Sequence, residues 1–169
     1  MRIYLDANLV EYTVEHEDFI FQQSDECPVA EPQLRREVNA LCQLVELDQY
    51  GEWTYVAPTH LLDELRSGHP TRGQLALYRV LEEAWLDCLV GQEEPTDSEI
   101  CRIEKSVHGL CLKDSADRRH LAEALARHAS WFLTNDRDIV RKTHGKIGAM
   151  RTSRPSECLW EISVGLFLR

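Results

Sequence analysis

The chain has 169 residues, with 29 acidic and 19 basic side chains and a formal net charge of −10. That length suffices for one hydrophobic core and a single domain over residues 1–169, and 43% hydrophobic residues exclude wholesale disorder. The charge argues against phosphate recognition, but it is an average: residues 1–66 carry 14 acids and 4 bases, residues 67–100 carry 7 and 2, and residues 101–169 carry 8 acids against 13 bases.

Ile3, Tyr4 and Leu5 predict a short strand that stops at Asp6. From Asn8 the pattern turns helical, with Leu9, Tyr12 and Val14 among acids, and residues 22–33 read as a polar loop. Pro32 opens a helix whose apolar residues recur from Leu34 to Leu47 and which ends at Gly51. Trp53 to Val56 alternate like a strand closed by Pro58. Thr59 caps a helix carrying Leu61, Leu62, Glu64 and Leu65, which Gly68 ends. Residues 71–84 read as a helix, 85–90 as a strand and 95–106 as a helix.

The last third is the most legible. A helix starts at Asp114-Ser115-Ala116-Asp117 and carries Leu121, Ala122, Leu125 and Ala129 on its apolar face. Residues 130–134 form a buried strand. A short helix from Asn135 includes Ile139 and Val140. Residues 147–150 form another strand and 155–166 a terminal helix. Strands alternating with helices predict a parallel α/β sheet covered on both faces.

No window approaches the ~18 apolar residues of a membrane span, and Asp6 interrupts the apolar run of a secretory leader. Six scattered cysteines without a Cys-x-x-Cys pair read as reduced thiols in a cytoplasm. Cys101, His108 and Cys111 match no common zinc spacing and lack a fourth ligand.

In an open parallel sheet, sites form beyond the carboxyl ends of the strands. Asp6 follows the first strand, and Asp136 follows residues 131–134 after one residue. Asp117 lies in the first turn of the helix leading into that strand, and Glu64 on the helix after residues 53–56. Taken singly, Asp6, Asp114, Asp117 and Asp136 are accounted for by helix capping or the helix dipole, and Glu64 by solvent. Taken together, carboxylates from four elements repel one another unless a cation offsets them. Hard oxygen donors suit Mg²⁺ or Mn²⁺.

Tyr4-Leu5-Asp6-Ala7-Asn8, Leu62-Asp63-Glu64-Leu65, Asp117 to Ala122, and Leu133-Thr134-Asn135-Asp136-Arg137-Asp138 resemble, in order and over nearly the whole chain, the acidic motifs of PIN domains. These are metal-dependent nucleases that include the VapC-type toxins of toxin–antitoxin pairs. The resemblance implies a three-layer α/β/α sandwich with a short, mainly parallel central sheet, and an endoribonuclease using Mg²⁺ or Mn²⁺. It makes Asp6, Glu64, Asp117 and Asp136 the catalytic acids, with Asp6, Asp117 and Asp136 on the metal and Asn8 and Thr134 as polar supports. Asp114, one turn back on the same face, is the alternative third acid. Glu64 either holds the metal's water or helps deprotonate the nucleophile. The products are a 5′-phosphate and a 3′-hydroxyl. Asp63 points about 100° away from Glu64 and reads as surface.

Arg137, Arg141, Lys142 and Lys146, followed by Arg151 and Arg154, form a basic stretch beside Asp136 suited to RNA phosphates. Standing alone, it would read as a solvated face. His120 and His144 read as packing or surface residues, and Trp131 and Trp160 as packing before base stacking. An antitoxin partner and a homodimer, the latter through the apolar helices 34–47 and 71–84, complete the expectations. A catalytically degenerate PIN-like module binding protein or RNA is the alternative. A metal-dependent phosphatase or other α/β hydrolase is a weaker match: Asp6-Ala7-Asn8 lacks a second Asp, and no Gly-x-Ser-x-Gly or glycine-rich phosphate loop is present.

Overall fold

The computed structural model describes residues 1–22, 26–48, 53–56, 59–68, 71–76, 78–79, 95–112 and 114–167. The strand expected at 85–90 and most of the second half of the helix expected at 71–84 lie outside the described residues. So do the cap expected of Thr59, the direction expected of Asp63 and the helix end expected at Gly51.

Strand β1 (Arg2–Leu5) runs into Asp6, whose carboxylate accepts from the Ala7 amide at 2.9 Å and starts α1 (Ala7–Glu15). The backbone leaves helical geometry at His16, and a separate helix α2 (Glu17–Gln22) follows, which the periodicity did not reveal. That break turns Ile20 into the core and lays Phe19 against it. Helix α3 (Pro32–Asp48) begins with proline at its first position, where an absent N–H costs nothing, and the Glu31 carboxylate accepts from the amides of Gln33 and Leu34.

Strand β2 (Thr54–Val56) and helix α4 (Thr59–Ser67) come next, and residues 72–76 are helical. Helix α5 (Asp97–Val107) opens on a capping box, in which Thr96 and Glu99 each accept the other's amide. A 3-10 turn (His108–Leu110) leads to α6 (Ser115–Ala126), capped by Asp114 through the Ala116 amide at 2.9 Å. Strand β3 (Trp131–Leu133), helix α7 (Arg137–Thr143), strands β4 (Lys146–Ile147) and β5 (Met150–Ser153) and helix α8 (Pro155–Phe167) complete the chain.

The strand expected at 147–150 is corrected here. Residues 148 and 149 form the turn of a two-residue hairpin joining β4 to β5, with Gly148 at φ +59° supplying the positive φ that such a turn needs at its first position. The principal strand is Met150–Ser153. Its Thr152 and Ser153 are buried although polar, so no apolar run announces them.

Among the described residues, five strands lie in the order β2-β1-β3-β5-β4. All pair in parallel except the β4–β5 hairpin at the edge. Alternation along β1 and β3 divides the core between the two faces of the sheet. Ile3, Leu5, Trp131 and Leu133 pack with Leu9 and Val10 of α1, Val38, Leu41 and Leu44 of α3, Leu61 and Leu65 of α4 and Cys158 of α8. Tyr4 and Phe132 pack on the other face with Leu121 and Ala124 of α6 and Ile139 of α7. Helices therefore cover both faces of a mostly parallel α/β sheet.

Two features hold the layers in place. Tyr4 and Phe132 stack at 5.2 Å between ring centres with 17° between planes, an arrangement worth about 1 kcal/mol beyond the area it buries. The buried carboxylate of Glu37 on α3 accepts from both the amide and the hydroxyl of Ser156 at 2.9 Å, fixing the first turn of α8. Arg154 approaches the same carboxylate at 3.6 Å.

Val38, Leu41 and Leu44 are thus spent on the chain's own core. Leu34, Val45 and Leu47 in the stretch expected to serve a homodimer are only partly buried. No described helix is long and apolar enough to cross a membrane. Cys27, Cys42, Cys101, Cys111 and Cys158 are free thiols.

Candidate active site

Asp6 and Thr134 directly follow the neighbouring parallel strands β1 and β3, so pairing of those strands brings them together. The Thr134 hydroxyl donates to Asp6 Oδ2 at 2.6 Å and accepts from the Asp136 amide at 2.9 Å. Asn8, two residues into α1, donates its amide to Asp6 Oδ2 at 2.7 Å and to Thr134 Oγ at 3.3 Å. Its carbonyl oxygen accepts from the Asn135 amide at 3.2 Å. Both expected supports therefore touch Asp6, and Asn8 and Thr134 tie the loop after β3 to the start of α1.

Asp6 is 4% exposed. Burial raises its pKa, while the donors Thr134, Ala7 and Asn8, with the nearby His120, pull it back. Asp136 caps α7 through Oδ1, which accepts from the Asp138 amide at 2.6 Å. The capping reading thus holds for Asp6, Asp114 and Asp136 alike. Asp117 lies in the first turn of α6, as the helix-dipole reading expects, but its carboxylate makes no hydrogen bond among the described residues. Partial burial and the like charges of Asp6, Asp114 and Asp136 push its pKa up to about 6.

Asp117 and Asp136 share a cleft of about 380 Å³ with Leu112, Arg137, Asp138 and Lys142. A larger cavity, about 1030 Å³ between α3 and α8, holds none of the four acids. The polar cleft is the chemically loaded one.

Glu64 is not grouped with the other acids among the described residues; its contact is with His120. His120 is 2% exposed, and its Nε2 lies 2.8 Å from Glu64 Oε2 while its Nδ1 lies 3.0 Å from the Tyr4 hydroxyl. Glu64 belongs to α4 and His120 to α6, helices that pack on opposite faces of the sheet. The expectation that His120 merely packs misses this bridge. Its signal was the position of His120 three residues after Asp117, on the same side of one helix.

The basic stretch divides into two groups. Arg137 is exposed and contacts Gln33, Arg141 is exposed and pairs with Asp138, and Lys146 is exposed on β4. Lys142 donates to the Cys111 carbonyl at 2.8 Å and lies 3.2 Å from Asp138. Arg151 instead pairs with Glu161 and stands over the Trp131 ring at 5.1 Å. Arg154 pairs with Glu157 at 2.7 Å and with Glu37. The last two arginines hold α8 and are removed from the phosphate-binding set. Trp131 is core, whereas Trp160 is 67% exposed, against the packing expected of it.

The donor set fits a hard divalent cation in kind and charge: carboxylate oxygens that repel one another, one of them without a hydrogen bond. Among the described residues, no three His, Cys, Asp or Glu side chains are grouped so as to hold an ion together. Mg²⁺ keeps several of its waters and is usually bound through only one or two carboxylates, which such a site can supply. No protein-family model matches the chain, and no curated protein or solved structure matches it.

Proposed function

We propose that the chain is a metal-dependent endoribonuclease of the PIN type. The observation that carries the reading is Asp117: a carboxylate without a hydrogen bond in a polar cleft, its pKa pushed up to about 6 by burial and by Asp6, Asp114 and Asp136. The other three acids are tied by capping hydrogen bonds, whereas Asp117, a first-turn acid of α6, has no such bond and sits among like charges, a conflict of the kind that concentrates at functional sites.

In this reading Asp6, Asp117 and Asp136 would serve Mg²⁺ or Mn²⁺, one or two of them directly and the rest through its waters, with Asp114 as the outlying acid that caps α6. When bound, the cation lowers the pKa of water and offsets charge on the phosphoryl group. Thr134 and Asn8 fix the Asp6 carboxylate. Glu64, with Oε2 tied to His120, takes the proton of the attacking water on Oε1. The water oxygen bonds to phosphorus as the bond to O3′ breaks, leaving a 5′-phosphate and a 3′-hydroxyl that gains a proton from solvent. Arg137, Arg141, Lys142 and Lys146 meet the RNA backbone. A toxin role with an antitoxin partner rests on the resemblance alone, and growth arrest on expression, relieved in Asp6→Asn, is its expected sign.

The test is incubation of single-stranded and structured RNA pools with Mn²⁺, with and without EDTA, beside Asp6→Asn and Asp136→Asn. Cleavage that needs the metal and is lost in both variants is the expected result; full activity in both would sink the assignment.

One observation favours a second reading. The lack of a three-residue cation site among the described residues suits a PIN-like module that binds RNA or protein without cutting. Calorimetric titration separates the two, since a scaffold need not bind Mn²⁺ through Asp6 and Asp136.

A further inference from the structure

Glu64 is carried on α4 with its side chain 44% exposed, whereas the His120 side chain beside it is 3% exposed. An exposed glutamate on a helix ordinarily samples several rotamers. Here one carboxylate oxygen is engaged by a ring that cannot itself move far. That ring is wedged against Tyr4 edge-on, with 6.3 Å between ring centres, and Tyr4 is fully buried against Phe132.

The hydrogen bonds define the ring's protonation pattern. An ionised carboxylate only accepts, so Nε2 carries a proton toward Glu64. Nδ1 meets the Tyr4 hydroxyl, which can donate to it when the ring is neutral and accept from it when the ring is charged. A chain Tyr4 to His120 to Glu64 results, running from the middle of β1 to the half-exposed carboxylate on α4.

We propose that His120 is the positioning residue of the acidic site: anchored by Tyr4, it fixes the carboxylate of Glu64 for proton transfer. This rests on the nuclease reading for its consequence, but not for its geometry. Removing a group that orients a metal-site or catalytic side chain typically lowers activity about 10–100-fold. A positioning role places that loss in kcat and leaves KM unchanged, because RNA contacts come from other residues.

Three variants test it. His120→Ala is expected to lower kcat for Mn²⁺-dependent RNA cleavage within the 10–100-fold range, with KM intact. His120→Gln, which retains a donor able to reach Glu64, is expected to recover part of the loss. Because His120 is buried, Tyr4→Phe serves as the milder variant. It removes only the hydroxyl, and ring ¹⁵N spectra are expected to keep the Nε2 proton that Glu64 imposes while the Nδ1 signal loses its hydrogen-bond shift, with a smaller fall in kcat than in His120→Ala. The proposal is overturned if folded His120→Gln is no better than folded His120→Ala, if the loss lies in KM, or if Nε2 of the wild-type ring carries no proton. A wild-type protein that cleaves no RNA would defeat the nuclease reading instead. The ¹⁵N spectra then decide alone, a protonated Nε2 coupled to Glu64 retaining the relay and a bare one removing it.

Discussion

Thr134 Oγ lies 2.6 Å from Asp6 Oδ2, joining residues 128 positions apart in the chain at the carboxyl ends of two neighbouring strands. The hydroxyl is fully buried and accepts from the Asp136 amide as it donates to Asp6. Thr134→Val keeps the shape but deprives a buried carboxylate of a donor. A hydrogen bond to a charged group contributes about 1.5–3 kcal/mol, so a loss near 2 kcal/mol in urea unfolding is expected, with the Asp6 pKa raised further. Thr134→Ser keeps the hydroxyl, and roughly 0.8 kcal/mol for the lost methyl is expected.

Asp117 sets stability against function. Its pKa is about 6 in the folded chain, against an ordinary value of 3.8. A raised carboxylate pKa means the folded chain binds more protons in this interval. The contribution is therefore fully present below pH 4 and lost as pH rises through 6. Asp117→Asn removes the repulsion, and the metal-free variant should be more stable than wild type at pH 7.5, with the gap closing at pH 4. Solvent screens this part-buried group, so roughly 1 kcal/mol is expected, or about 2–4 °C in Tm. Mn²⁺ should raise the wild-type Tm by mass action and raise that of the variant less. A variant less stable than wild type at pH 7.5 without metal would show that Asp117 is held by attraction rather than crowded.

Elements bounded by apolar runs were legible in the sequence, among them β1, α3, β3 and α8. The hairpin was not, because Arg151, Thr152 and Ser153 read as polar, whereas Thr152 is paired with Thr143 inside the fold and the backbone pairs with β3. Helix α2 was hidden because no proline or glycine marks the break at His16. In the site, Asp6, Asp114 and Asp136 were legible as acids at helix starts. Glu64 gained meaning through the ordered resemblance. His120 offered only its place three residues after Asp117, and its partners could not be read, since Tyr4 lies 116 residues away and Glu64 lies 56 away, on another helix.

Glu37 separates the architecture of the chain from its chemistry. It is 5% exposed and takes two hydrogen bonds from Ser156 at the start of α8. Glu37→Ala leaves the Ser156 amide and hydroxyl without that partner and Arg154 with Glu157 alone. About 2–3 kcal/mol is the expected loss, read from the urea midpoint. Activity per folded molecule should be unchanged, because Glu37 serves α8 and none of the acids around Asp6. A fall in kcat with stability intact would place Glu37 in the site instead.

The exposed cations make a prediction that counterion release can resolve. Each phosphate neutralised on a single strand contributes about 0.7 to the slope of log affinity against log salt. Arg137, Arg141 and Lys146 are exposed near the cleft or on the neighbouring hairpin, whereas Arg151 and Arg154 are engaged by Glu161, Glu157 and Glu37. Single alanine replacements of Arg137, Arg141 and Lys146 should each flatten the slope by about 0.7, measured by fluorescence anisotropy on a single-stranded RNA in metal-free buffer. Arg154→Ala should leave the slope unchanged and lower the unfolding midpoint. Asp138→Asn, which frees Arg141 and Lys142 from their shared carboxylate, should steepen the slope and tighten binding at low salt. Slopes that respond to Arg154 and ignore Arg141 and Lys146 would move the RNA path away from the cleft and toward α8.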